Sequence, residues 1–124
     1  MNEKLPTILK LKSSKQITTL FANGQSVKAF PIILAYMPCE LEVPFKVGFS
    51  VSKRNFKTAV DRNRIKRLLR ENFRKNKYLF TDKNDQTFLL MFLFVGKELP
   101  NYQQITKAIL KVAKRWQEKK DKSI

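Results

Sequence analysis

The sequence predicts an α+β fold: one domain with elements in the order α-β-β-α-β-α and its helices on one face of a small sheet. Three observations predict it. Phe45, Val47, Phe49 and Val51 alternate with Lys46, Gly48, Ser50 and Ser52, the period of a half-buried strand. The run Phe88 to Val95 is continuously apolar and, too short to span a membrane, reads as a buried strand. Between them, Val60, Ile65, Leu68, Leu69, Asn72 and Phe73 fall mostly at spacings of three and four, on one side of a helix. At 124 residues the chain suffices for a single domain, 1–124, with flexible ends expected at 1–12 and 120–124.

In order along the chain, residues 1–12 are an extended lead-in carrying Pro6, Lys4, Lys10 and Lys12. Ser13 or Ser14 caps a short helix through about Ala22, which Gly24 stops, with Ile17, Leu20 and Phe21 at helical spacing. Val27 to Met37 is β-rich, and Pro31 near its start indicates an edge or the beginning of a strand. Pro38 to Pro44 is an acidic turn, and the alternating strand follows. Lys53 to Lys57 is a basic connection into a helix from about Thr58 to Asn76, with Thr58 or Asp61 at its start. After a polar loop, Thr81 to Gln86, comes the strand Thr87 to Val95. Gly96 and Pro100 then precede a last helix, Asn101 to Lys119, whose apolar stripe is Ile105, Ala108, Ile109, Val112 and Trp116.

Charge narrows the partner. Lysine and arginine number 26 against 10 carboxylates, a net charge of +16, which calls for a polyanion: nucleic acid, an anionic membrane or an acidic protein. Cys39 is the only cysteine, so neither a disulfide framework nor a cysteine-based zinc site can form, and a reducing, cytoplasmic setting is expected. Residues 1–25 lack the apolar stretch of a signal peptide, and no run approaches the roughly 20 apolar residues of a membrane span.

The excess charge is concentrated. From Lys53 to Lys77 eleven basic residues face two acidic ones, leaving +9 in a fifth of the chain. Arg62, Lys66, Arg70 and Arg74 recur at i, i+4, with Asn63 and Arg67 beside them, and Lys53 and Arg54 extend the patch off the helix. Arginine's planar fork suits phosphate oxygens, and few carboxylates at i±4 neutralise it. A membrane-surface helix would need its apolar face for lipid, whereas Ile65, Leu68 and Leu69 are needed to cover a sheet. No helix-turn-helix or zinc module for DNA is present. RNA, read through its backbone and by stacking of unpaired bases, fits better; Phe21, Phe30, Tyr36 and Phe56 are the candidate stacking groups. A ribosomal or assembly protein and a DNA-compacting protein are the competing readings.

A protein-based catalytic site is not expected. There is no histidine, the ten carboxylates are scattered, Glu40 and Glu42 sit in a turn, and Asp82 and Asp85 read as loop residues. No glycine-rich phosphate loop occurs, and Cys39 lacks a basic partner.

The segment Val47-Gly48-Phe49-Ser50-Val51-Ser52-Lys53-Arg54, followed by Ala59-Val60-Asp61-Arg62-Asn63-Arg64-Ile65-Lys66-Arg67-Leu68-Leu69-Arg70-Glu71, closely resembles the signature of the bacterial ribonuclease P protein subunit. Leu20 to Val27 resembles that family's turn between first helix and first strand. The resemblance implies a single-domain α/β sandwich, ribosomal protein S5 domain 2-like, whose small mixed sheet carries an N-terminal helix, a C-terminal helix and a central basic helix in a left-handed βαβ crossover. It also implies a non-catalytic subunit of an RNA-based endonuclease that removes the 5′ leader of precursor tRNA, the RNA with Mg²⁺ performing the hydrolysis.

Carried over by position, Arg62, Asn63, Arg64, Lys66 and Arg67 become contacts to the catalytic RNA, with Arg70 at the margin and Lys53 and Arg54 alongside. Arg64 carries an alternative structural role, because it neighbours the apolar side. The precursor-tRNA leader is expected on an open sheet face beside the first helix, at Phe21, Tyr36, Lys46, Ser50 and Ser52. Three departures stand out: Ile17 replaces an aromatic, Thr58 replaces an asparagine, and the family's first-strand aromatic falls on Ala35, with Tyr36 one place later. A one-residue shift turns a side chain to the other face of the sheet, so the register at 35–36 stays open.

Overall fold

The structure, a computed structural model, describes residues 7–122. The expectations placed on Lys4 and Pro6 lie outside the described residues. Helix α1 is Ser14–Asn23; strands β1 (Gln25–Ala29), β2 (Ile32–Pro38) and β3 (Phe45–Val51) follow; then come helix α2 (Ala59–Asn76), strand β4 (Phe88–Phe94) and helix α3 (Tyr102–Lys122). One-turn 3-10 helices at Thr7–Leu9 and Lys77–Phe80 complete it.

The helix termini follow local chemistry. The Ser13 hydroxyl accepts the Gln16 N–H, and Thr58 likewise accepts that of Asp61, each satisfying a donor that the first turn leaves open. Asn101 and Gln104 exchange bonds before α3: the Gln104 N–H donates to Asn101 Oδ1 at 2.8 Å, and the Asn101 N–H to Gln104 Oε1 at 3.0 Å. Gly24 caps the end of α1, its N–H donating to the Leu20 carbonyl, and the close approach requires glycine: a Cβ there would lie 2.4 Å from that oxygen.

The β-rich stretch 27–37 divides into two antiparallel strands, β1 and β2, turning at Phe30-Pro31, so the domain has four strands where three were expected. Sheet order is β1-β2-β4-β3, with β4 antiparallel to β2 and parallel to β3. Adjacent parallel strands require a crossover, and α2 provides it. Its hand follows from Val47. That side chain is buried on the α2 side, while its carbonyl accepts the Leu11 N–H at 2.9 Å on the edge away from β4. For an L-residue viewed from its side-chain face with the strand rising, the carbonyl points right. Strand β4 therefore lies to the left, and the crossover is left-handed, an exception to the usual rule.

The helices do not share one face. Helices α2 and α3 pack on Phe45, Val47, Leu90, Phe92 and Phe94, whereas Leu20 of α1 and Leu11 pack on the opposite face against Ala35, Leu89 and Met91. The reason lies in β4, which is apolar at every position and so needs cover on both sides. Burying Leu20 completely contributes about 1.5–3 kcal/mol to holding α1 down.

Both sheet edges are partly covered. At β3, Lys10 forms a parallel bridge to Val47. At β1, Arg115 donates to the Lys28 carbonyl and Lys119 Nζ donates to that of Ser26 at 2.8 Å, so cations from α3 occupy acceptors on which another strand could pair. Two residues in the ends expected to be flexible are anchored: Leu11 is buried, and Lys120 forms a buried ion pair with Asp82 at 2.6 Å. Asn72 joins the two helices of the main core: its Nδ2 donates to the Leu68 carbonyl at 3.0 Å and its Oδ1 accepts the Thr106 hydroxyl.

Candidate nucleic-acid interface

Helix α2 buries Ile65, Leu69, Asn72 and Phe73 and half-buries Leu68, as the helical period predicts. Val60 departs from it, standing 76% exposed in the first turn, beyond the reach of the sheet. At 100° per residue, the side opposite the buried stripe is occupied by Asn63, Arg67 and Arg70, all exposed. Arg64, also exposed, flanks that line, so burial does not explain it; Lys66 and Arg62 are half-buried. The expected stripe of Arg62, Lys66, Arg70 and Arg74 thus rotates toward Asn63 and Arg67.

Arg62 faces inward because it sits three residues before Ile65. Its Nη1 donates to the carbonyl oxygens of Phe56 and Lys57, at 2.8 and 3.0 Å. These are carbonyls of the loop entering α2, and the bonds fasten the Lys53–Lys57 connection to the helix. Ser52 fastens the other end: its Oγ accepts the N–H groups of Arg54 and Asn55 at 3.2 and 3.4 Å. Both cationic side chains of that loop, Lys53 and Arg54, are exposed. Phe56 is buried against Phe94, ring centroids 5.9 Å apart, and so is a core residue and no stacking platform.

Among the remaining cations, Arg67 Nε pairs with Glu71 at 3.2 Å in an exposed i, i+4 bridge, an interaction worth little and readily exchanged for phosphate. The Arg70 guanidinium lies 5.9 Å from the centre of the Phe49 ring, which orients it without neutralising it. Asp61 in the first turn and Arg74 and Lys75 in the last complement the helix dipole.

The opposite sheet face carries the second expected site. Lys46, Gly48 and Ser50 of β3 point there and are half-buried, and Phe21 at the end of α1 is 53% exposed. Ser52 lies past the end of β3, its hydroxyl occupied in the turn. Tyr36 must be removed from this set. It pairs with Leu90 on the α3 side, is 4% exposed, and makes edge-to-face contacts with Phe88 and Trp116. Its hydroxyl donates to Gln25 Oε1 at 3.2 Å, and burial pushes its pKa up. The residue on the α1 face is Ala35, which settles the register.

Sequence reasoning missed Ile33, Met91 and Leu93, which share that face with Ser50 and Gly48. Register rows Ile33–Leu93–Ser50 and Ala35–Met91–Gly48 cross the sheet there. A strand apolar at every position gives no sign of which residues face which layer; only the pairing register supplies it.

The family described as Ribonuclease P matches residues 5–117. The chain belongs to the ribonuclease P protein family. It is 34% identical over 101 residues to the ribonuclease P protein component of Porphyromonas gingivalis, covering 77% of this chain and 74% of that protein. The counterpart from Caldanaerobacter subterraneus subsp. tengcongensis is 39% identical over 97 residues, covering 78% and 76%. The fold agrees with the solved RNase P protein of Staphylococcus aureus, at a TM-score of 0.69 and 25% identity over 86% of this chain and 93% of that one. It agrees with that of Thermotoga maritima at a TM-score of 0.72, 21% identity and coverage of 86% and 96%.

Magnesium, implied by the resemblance, finds no fitting donor set among the described residues. No group of three or more His, Cys, Asp or Glu side chains converges among the described residues. Asp82 is committed to Lys120 and to the N–H groups of Asn84 and Gln86. Among the described residues no helix is long and apolar enough to cross a membrane.

Proposed function

We propose that this chain is the protein subunit of a ribonuclease P ribonucleoprotein that holds its catalytic RNA along α2 and meets the 5′ leader of precursor tRNA on the α1 face of the sheet. The observation that carries the reading is the exposed array Asn63, Arg64, Arg67 and Arg70, continued by Lys53 and Arg54, in a chain of this family. Five of those six side chains are cations, and none is buried in an ion pair. Counterions released from RNA as they bind supply a large share of the affinity.

The leader reading rests on the small side chains Gly48 and Ser50, which let a backbone approach, on Lys46, and on the exposed ring of Phe21, on which a base can stack. The protein contributes binding and orientation; the RNA, with the Mg²⁺ it holds, contributes the phosphodiester hydrolysis, and the setting is cytoplasmic. The protein alone is expected to leave precursor tRNA intact, while adding the cognate catalytic RNA at low salt and modest Mg²⁺ restores 5′ processing. Robust cleavage by the purified protein without RNA would overturn the reading.

A further inference from the structure

The end of the sheet that carries the Lys53–Lys57 loop also carries a groove that the two sites above do not use. It lies between the β1–β2 turn, the end of β4 and the start of α3, with a volume of about 630 Å³. Val95 and Leu99 line it together with Phe30, whose ring is 79% exposed. Three lysines (Lys97, Lys107 and Lys111) stand around it against one carboxylate, Glu98. Lys107 and Lys111 are one turn apart on α3, so two cations follow one side of an apolar floor.

The groove is continuous with the basic loop. Asn55 Nδ2 donates to the Gly96 carbonyl at 3.4 Å, and Phe56 packs on Phe94, itself a lining residue. An exposed aromatic ring beside a row of cations matches the chemistry of single-stranded nucleic acid, with a flat base on the ring and phosphates along the lysines. An acidic peptide would also satisfy the lysines. RNA is favoured because the adjoining loop already presents Lys53 and Arg54 to it.

We propose that this groove binds an unpaired nucleotide segment of the catalytic RNA, a base stacking on Phe30 and the flanking phosphates meeting Lys107 and Lys111. The inference rests on the assignment of α2 as the grip on that RNA, and it extends the interface around the end of the sheet.

The test uses the full chain bound to its catalytic RNA over a range of salt concentrations. Phe30→Ala, at an exposed turn, should weaken binding about five- to a hundredfold with the salt slope unchanged. Lys107→Ala with Lys111→Ala should lower the slope by about 0.7 per lysine. A photoreactive residue at position 30 should crosslink to a short unpaired stretch of that RNA. Wild-type binding with both variants unaffected, or crosslinks from position 30 to a protein only, would overturn this inference and leave the α2 assignment standing. Failure of the wild-type chain to bind the catalytic RNA would overturn both.

Discussion

Arg62 reaches back from the first turn of α2 to the carbonyl oxygen of Phe56, Nη1 to O at 2.8 Å, and so ties the basic loop to the basic helix. The same nitrogen also donates to the Lys57 carbonyl. An arginine in the middle of the basic segment therefore has a structural task. Arg62→Ala should destabilise the fold by about 1.5–3 kcal/mol, the value of hydrogen bonds to a charged donor. It should also weaken RNA binding by loosening Lys53 and Arg54. Urea unfolding checks the first effect; unchanged stability with reduced affinity would mean that Arg62 acts only on RNA.

The exposed Arg64 and Arg67 and the half-buried Lys66 behave differently. Arg64→Ala, Lys66→Ala and Arg67→Ala should leave the unfolding midpoint nearly unchanged, since surface changes of this kind fall within about 0.5 kcal/mol. Each should lower the salt dependence of catalytic-RNA binding by about 0.7–0.9 per lost phosphate contact. Affinity titrations from low to moderate salt measure it, and a slope equal to wild type removes that residue from the interface.

These two classes show where sequence reasoning succeeds and where it stops. The helix starts near Ser13 and Thr58 (to within the pairs Ser13 or Ser14 and Thr58 or Asp61), the buried stripe of α2 apart from Val60, and the concentration of charge were legible, because each depends on spacing and side-chain type. Arg62's role was not, since its partners are backbone carbonyls that carry no mark in a sequence. The hairpin was hidden because Phe30-Pro31 lies inside an almost unbroken β-rich run without the Asn-Gly or Asp-Gly signal of a tight turn. Tyr36 and Ala35 could not be told apart, because one residue of register decides between the α1 face of the sheet and the main core. Placement of α1 on the second face needed β4 to be read as two-sided, which its length and composition permitted but did not require.

The Asp82–Lys120 pair predicts an acid limb of stability. Both side chains are 6% exposed, and the Lys120 ammonium holds the Asp82 carboxyl below its ordinary value. A depressed carboxyl contributes stability that is fully present above the unfolded value, near pH 4, and is lost as pH falls through the folded one. Asp82→Asn should flatten that limb in thermal melts taken between about pH 6 and pH 2. Asp82→Ala should also cost about 3–5 kcal/mol at neutral pH by stranding the ammonium, toward the lower end because Asp121 lies 3.3 Å from it.

Asn72 is the polar joint between α2 and α3. Asn72→Ala removes the acceptor for the Thr106 hydroxyl, and a loss of about 1–3 kcal/mol is expected in chemical unfolding. The single Thr106 hydroxyl proton also has the Tyr102 carbonyl within reach at 2.9 Å, so Asn72→Ala leaves it a partner, whereas Thr106→Val strands the buried Asn72 Oδ1 and should cost at least as much. A clearly smaller loss for Thr106→Val would contradict this ordering.

The central claim is a division of labour: α2 grips the catalytic RNA, and the opposite face of the sheet meets the substrate. The most direct measurement places one photoreactive group at position 66 or 67 and another at position 21, in the reconstituted particle with labelled precursor tRNA. Crosslinks from 66 or 67 should fall on the catalytic RNA, and those from 21 on the 5′ leader. Crosslinks from position 21 confined to the catalytic RNA, or from α2 to the leader, would contradict the account.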